Sequence, residues 1–186
     1  EKLHEPIKNK KLSARDRLGV IRDLFALSEA GVVPTTDALE FLSAYKEETN
    51  YSVWLEIALG LARIEQHIPN NQNLDNLVID LFSPVFKELG WDAKPNEKHM
   101  DVLLRSLTIS KLGRAGDKKV INEARKKWKS DKLNPDIRGA VYGVVASAGG
   151  KKEFEEFIKK YKKETLHEEK NRLGYSLGDF KDKVLL

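Results

Sequence analysis

The stretch Asn50-Tyr51-Ser52-Val53-Trp54-Leu55-Glu56-Ile57-Ala58-Leu59-Gly60-Leu61-Ala62-Arg63-Ile64 decides the fold class. Val53, Trp54, Ile57, Ala58, Leu61 and Ile64 recur at spacings of three and four, which gathers them on one stripe of an α-helix. Asn50 stands where an N-cap side chain would accept the first free backbone N–H groups. Pro69 closes the segment, because its ring and missing N–H cannot continue the hydrogen-bond ladder.

The same punctuation repeats outward in both directions. Upstream, Ser13 with Asp16 opens a helix carrying Leu18, Ile21, Leu24, Phe25 and Leu27, closed by Gly31. A second helix follows Val33-Pro34-Thr35-Thr36 and carries Leu39, Leu42 and Tyr45. Downstream, Asn73 is expected to cap a helix with Leu74, Leu77, Val78, Leu81, Val85 and Leu89, kinked or broken at Pro84. Asn96 is expected to open the next, with Met100, Leu103, Leu104 and Leu107 turned inward and Gly113 and Gly116 at its end. Asp117 caps a helix with Val120, Ile121, Ala124 and Trp128. Asn134-Pro135 is an N-cap followed by proline at the first helical position, ahead of Ile137, Ala140, Val141, Val144, Val145 and Ala148. Phe154, Phe157, Ile158 and Tyr161 mark an eighth helix, and Leu166, Leu173 and Leu177 a ninth.

About nine helices joined by short loops imply antiparallel neighbours. The expected fold class is therefore all-α: an irregular α-α superhelix of stacked antiparallel helix pairs, in the manner of HEAT and armadillo arrays but without a strict sequence period. Residues 1–186 read as one helical segment. Val184-Leu185-Leu186 looks like the first apolar turn of a further helix, so the segment is expected to be the first part of a larger domain.

Composition narrows the chemistry. The chain has no cysteine, so disulfides and thiolate metal sites are excluded, and the expected compartment is cytoplasmic. No apolar run approaches the roughly 20 residues of a membrane span. The four histidines, His4, His67, His99 and His167, include no pair four residues apart: after His167-Glu168 the second position is Asn171, and after His4-Glu5 it is Lys8. No phosphate-binding glycine loop and no Gly-x-Ser-x-Gly elbow occurs. Catalytic, cofactor-binding and metal residues are all expected to be absent.

The net charge of +4 leaves one nucleic-acid candidate, Asp117 to Lys132, with seven basic residues against three acidic. Two readings exist for it: a phosphate-tracking helix, or a core Trp128 surrounded by long basic stems on a solvated face. Trp128 continues the apolar stripe from Val120 and Ala124, which favours the second.

Leu12-Ser13-Ala14-Arg15-Asp16-Arg17-Leu18-Gly19, Asp23-Leu24-Phe25-Ala26-Leu27 and Tyr45-Lys46-Glu47-Glu48-Thr49-Asn50-Tyr51-Ser52-Val53-Trp54 together carry a family resemblance. They resemble the opening of the C-terminal helical domain of the His-Glu-x-x-His zinc aminopeptidases, the family of the puromycin-sensitive, endoplasmic-reticulum and tricorn-interacting-factor enzymes. Leu112-Gly113 with Ala124 and Trp128, then Asn134-Pro135-Asp136-Ile137-Arg138 with Val141-Tyr142, continue it, followed by Gly149-Gly150, Phe154, Tyr161, Glu169-Lys170 and Leu173. The resemblance covers almost the whole chain. The absence of cysteine and the short loops resemble the archaeal tricorn-interacting-factor branch.

The family's zinc helix and its Gly-x-Met-Glu-Asn exopeptidase motif belong to an earlier domain and are not here. The resemblance therefore implies a non-catalytic segment of a zinc aminopeptidase, with the zinc in the parent's catalytic domain. It implies a helical bowl that encloses the active-site chamber, helps to hold peptides and gates access. The implied partners are that catalytic domain, peptide substrates and, as a further candidate, a larger protease assembly; neither a membrane nor a nucleic acid is expected. Arg138, at a helix start, is the one residue offered as a peptide or interdomain contact, against the alternative that it pairs with a nearby carboxylate. The rival class is a free-standing helical-repeat module binding protein or nucleic acid.

Overall fold

Ser13 fulfils its role as a cap: its hydroxyl accepts from the Asp16 N–H, and the chain turns into a sixteen-residue helix. A computed structural model describes residues 2–130, 132–182 and 184–185. The described helices are α1 (His4–Lys8), α2 (Ala14–Glu29), α3 (Thr35–Phe41), α4 (Tyr51–His67), α5 (Gln72–Leu89), α6 (His99–Arg114), α7 (Lys118–Trp128), α8 (Pro135–Ser147), α9 (Lys151–Lys163) and α10 (His167–Leu177), with a 3₁₀ turn at Leu42–Tyr45. No strand occurs among the described residues. The all-α superhelix is thus observed, with ten helices rather than nine; α1 is too short to show a period in the sequence.

Caps set most of the boundaries. Asn50, Asp117 and Asn134 accept backbone N–H groups at the starts of α4, α7 and α8 as expected. Three expectations are corrected. The cap of α5 is Asn71, which takes the N–H groups of Asn73 and Leu74. α6 begins at His99, because Asn96 sits at φ +59°, outside helical geometry. α5 runs through Pro84 to Leu89 without a break; the Ser83 hydroxyl bonds the Ile79 carbonyl one turn back.

The helices stack in two rows. α2, α4, α6, α8 and α10 lie side by side in order, with α6 and α8 packed most intimately. α5 packs on α6, α7 on α8, and α9 on α8 and α10. The second-row helices α5, α7 and α9 pack on the first row rather than on one another. One continuous core joins the rows, from Ile21 and Phe25 through Trp54 and Phe82 to Val144, Phe157 and Phe180.

Trp54 is the anchor of the N-terminal half. It is fully buried, lies 4.8 Å from the Phe82 ring centroid, and donates its indole N–H to the Glu48 carbonyl at 3.0 Å. At the centre, α6 approaches α8 through Gly113. This glycine does not end its helix as expected; it lies inside α6, and a Cβ there would overlap the buried Val144 side chain. The turn is made by Gly116 at φ +87°. Leu27 and Met100, expected to point inward, are 44% and 53% exposed.

At the C-terminal end Val184 and Leu185 lie in a turn, with Leu185 half-buried against the core and Val184 exposed. Leu186, the last residue of the expected apolar turn, and Lys183 and Asp131 of the charged stretches lie outside the described residues.

Replacing Trp54 by Ala removes both the packing and the indole bond, and is expected to cost about 3–5 kcal/mol of unfolding free energy. A loss under about 1 kcal/mol in denaturant titration would show that this helix face is not the core. Two glycine substitutions separate propensity from packing. Gly19→Ala, at a site in α2 with nothing within 4 Å of a new Cβ, is expected to stabilise by roughly 0.5–1 kcal/mol. Gly113→Ala offers the same propensity gain but forces Val144 aside, and is expected to destabilise by about 1–3 kcal/mol. Equal stabilisation by both would contradict the close α6–α8 approach.

Candidate functional site

Arg138 follows the Asn134 cap by one turn, and this places it beside the first turn of α10. There it donates to Glu169 at 3.1 Å and to the Leu133 carbonyl at 3.3 Å. Glu169 also accepts from Arg172 at 2.5 Å and from the Tyr142 hydroxyl at 2.6 Å. Arg172 reaches Glu168 as well, at 3.0 Å. Two guanidinium groups, each about a quarter exposed, thus share one carboxylate that is 9% exposed. Arg138 thus makes the carboxylate pairing that was one of the two readings offered for it. Tyr142 and Glu169 entered the sequence analysis only through the family resemblance, and Arg172 not at all; the Arg-x-x-x-Tyr spacing puts Arg138 and Tyr142 on one face of α8.

Two comparable knots sit along the stack. Arg17 grips Glu48 with two bonds, at 2.6 and 2.9 Å, and gives a third to the Leu12 carbonyl. Glu48 further accepts from the Thr49 and Asn50 N–H groups, and the Tyr45 hydroxyl donates to the Arg17 carbonyl. Arg105, fully buried on α6, holds Glu97 and the Leu89 and Gly90 carbonyls at the end of α5. Those carbonyls have no partner within their own helix.

Each buried carboxylate stays charged. Burial alone pushes Glu48 and Glu169 upward, but the donors around them outweigh it, and both lie below the ordinary carboxylate value. For Glu97 the bond from Arg105 dominates in the same direction. Burial, with the negative charge of the neighbouring glutamate, raises the phenols of Tyr45 and Tyr142. These groups are arranged to fix helices; none is poised to transfer a proton near neutral pH.

The other candidates are dispersed. His4 bonds Ser43 in the N-terminal corner, His67 ends α4, and His99 and His167 begin α6 and α10. Among the described residues no group of three or more His, Cys, Asp or Glu side chains could hold a metal ion, so the residues present do not fit a zinc site. Trp128 is a core residue, stacked on Phe157 at 4.2 Å, capped by Lys160 at 3.8 Å and bonded to Glu156. It offers no face to a nucleic-acid base. Among the described helices none is long and apolar enough to cross a membrane.

The depressed carboxyls fix a pH dependence. Their stabilisation is fully present above the ordinary glutamate value, about 4.3, and is lost as pH falls below it through the folded-state value. The melting temperature is expected to hold level from pH 7 to about 5 and then drop. A Glu48→Gln/Glu169→Gln double variant is expected to melt lower at pH 7 yet lose much of that acid dependence. An unchanged acid slope in the variant would show that these knots do not carry it.

Comparison with known proteins agrees with this architecture. The whole chain, residues 1–186, matches the ERAP1-like C-terminal domain family. It is 35% identical to Aminopeptidase M1-B of Oryza sativa subsp. japonica over 75% of this chain and 17% of that protein. It is 30% identical to Aminopeptidase M1 of Arabidopsis thaliana over 99% of this chain and 23% of that protein. Against the puromycin-sensitive aminopeptidase of Caenorhabditis elegans the identity is 29%, over 75% and 16%. The chain therefore spans about a fifth of the length of these relatives. It belongs to the ERAP1-like C-terminal domain family, the helical C-terminal domains of M1 aminopeptidases.

Proposed function

We propose that the chain is the non-catalytic wall of a zinc aminopeptidase: it encloses the chamber over the active site, helps to hold the peptide and moves to admit or release it. The observation that carries this reading is the family match along all 186 residues, on a stack of antiparallel helices. The zinc, the general base and the exopeptidase chemistry then reside in the catalytic domain of the parent, and no catalytic step is assigned to a residue of this chain.

The first row supports a wall more than a polyanion-binding stripe. Charges of both signs line it: α2 and α4 are joined by Arg22 with Glu56 at 3.6 Å and Arg63 with Glu29 at 2.5 Å, and Arg114 at the end of α6 meets Asp179, just beyond α10, at 2.7 Å. Interleaved charge hydrates a chamber surface without committing it to one sign of ligand. In this reading Arg138 acts indirectly, by holding Glu169 and through it Arg172 and Tyr142. The partners are the catalytic domain and peptides, in a cytoplasmic setting, with a larger protease assembly as a further candidate. The narrower placement in the tricorn-interacting-factor branch rests only on the missing cysteines and short loops, and the relatives found do not support it.

The test compares two proteins on aminoacyl reporter substrates. The 186-residue chain alone is expected to show no zinc-dependent hydrolysis. The polypeptide extended upstream through its His-Glu-x-x-His helix is expected to show it, and to lose selectivity for peptide length when this chain is deleted. Hydrolysis by the isolated chain, or full length selectivity without it, would overturn the reading.

A further inference from the structure

α2 has more apolar surface than its core contact uses. Ile21 and Phe25 are buried, with Phe25 closing over Gly60 of α4. Val20, Leu24 and Leu27, at i, i+4 and i+7, form a second stripe that lines a groove of about 990 Å³ between α1, α2 and α3, with Val20 and Leu24 half-buried against the core and Leu27 exposed. Leu3, Val33 and Phe41 line its other walls. Leu3 is 45% exposed, and Leu27, as noted above, almost as much. α1 is held in place as a wall, since His4 bonds the Ser43 hydroxyl at 3.1 Å and sets its ring edge-on to Phe41 at 5.8 Å.

The rim of this groove carries Glu5, Asp23, Asp37 and Glu40 against Lys2 alone, with His4 the other titratable group. Glu5 accepts from Asn9 and lies 3.9 Å from the His4 ring, and Asp37 accepts from Thr36, so among the described residues neither carboxylate is paired with a lysine or arginine. The sign is local to this end. Residues 1–110 hold seventeen acidic and thirteen basic side chains, whereas residues 111–186 hold twelve and twenty.

From this apolar floor and acidic rim we propose that the groove docks a basic amphipathic helix of another polypeptide. Its apolar ridge lies along Val20, Leu24 and Leu27, and its lysines or arginines face Asp23, Asp37 and Glu40. The floor stripe is straight over about 10 Å of helix, which suits i, i+3 and i+4 anchors from a partner helix. Four carboxylates repel phosphate, so neither an anionic lipid surface nor a nucleic acid fits. A second copy of this chain does not supply the ligand either: its basic helices, α7 and α9, already bury Val120, Ala124, Trp128 and Phe157 in their own core.

The experiment titrates the 186-residue chain with a designed leucine–lysine amphipathic helix, its leucine–glutamate counterpart and a scrambled leucine–lysine sequence. Anisotropy measures binding, and NMR shifts locate it. The leucine–lysine helix is expected to bind, with shifts confined to Val20, Leu24, Leu27, Val33 and Phe41. Leu27→Asp is expected to weaken binding roughly tenfold or more, the scale of one lost apolar anchor, while Leu59→Asp, at an exposed leucine outside the groove, leaves it unchanged. Asp23→Lys/Glu40→Lys is expected to reverse the preference toward the leucine–glutamate helix. The proposal is overturned by no binding, by equal binding of all three peptides, or by shifts elsewhere. Concentration-dependent sedimentation of the chain alone that Leu27→Asp abolishes would assign the groove to a second copy and overturn it as well.

Discussion

The approach of α6 to α8 is the constraint on which the architecture depends. Gly113 lets the two backbones close until the Val144 side chain occupies the space of a missing Cβ. α8 is then surrounded by α6, α7, α9 and α10, and nine of its residues, Ile137 and Ala140 to Ser147, are buried. A helix apolar nearly all round is stable only where neighbours cover it on every side. The C-terminal half is therefore organised around α8, with α7 touching α6 as well and α9 packing on α10.

The buried Arg–Glu knots act on a different level. A buried ion pair contributes little net stability against an apolar equivalent, but losing one partner strands a charge. Arg17–Glu48, Arg105–Glu97 and Arg138–Glu169 each tie a loop or helix end to a helix some distance along the chain. They specify how successive pairs meet more than how strongly.

Much of this was legible in the sequence. The order of the helices, all but the short α1, followed from the three-four spacing and from Ser13, Asn50, Asp117 and Asn134, whose caps work locally and need no tertiary partner. The errors fell where tertiary context overrides local signals. Asn73 is as good a cap as Asn71 in isolation, and the register of α5 decides between them. Gly113 has the composition of a helix end, but its function is close packing against a residue thirty-one positions away. Leu27 and Met100 fit their stripes and yet remain exposed, Leu27 because it faces the groove between α1, α2 and α3 rather than the core. The site was less legible than the fold. Arg138 could be singled out, but Glu169, which determines what Arg138 does, lies two helices on, and no local pattern joins them.

Native-state hydrogen exchange tests the central claim most directly. If the stack is organised around α8, the amides of Val141, Val144 and Val145 exchange only through global unfolding, with the same denaturant dependence as the whole molecule. Amides of α9, at the second-row edge, then open earlier through local fluctuations. Protection that is greatest in α9 and weak in α8 would contradict the account, since it would place the organising contact outside the first row.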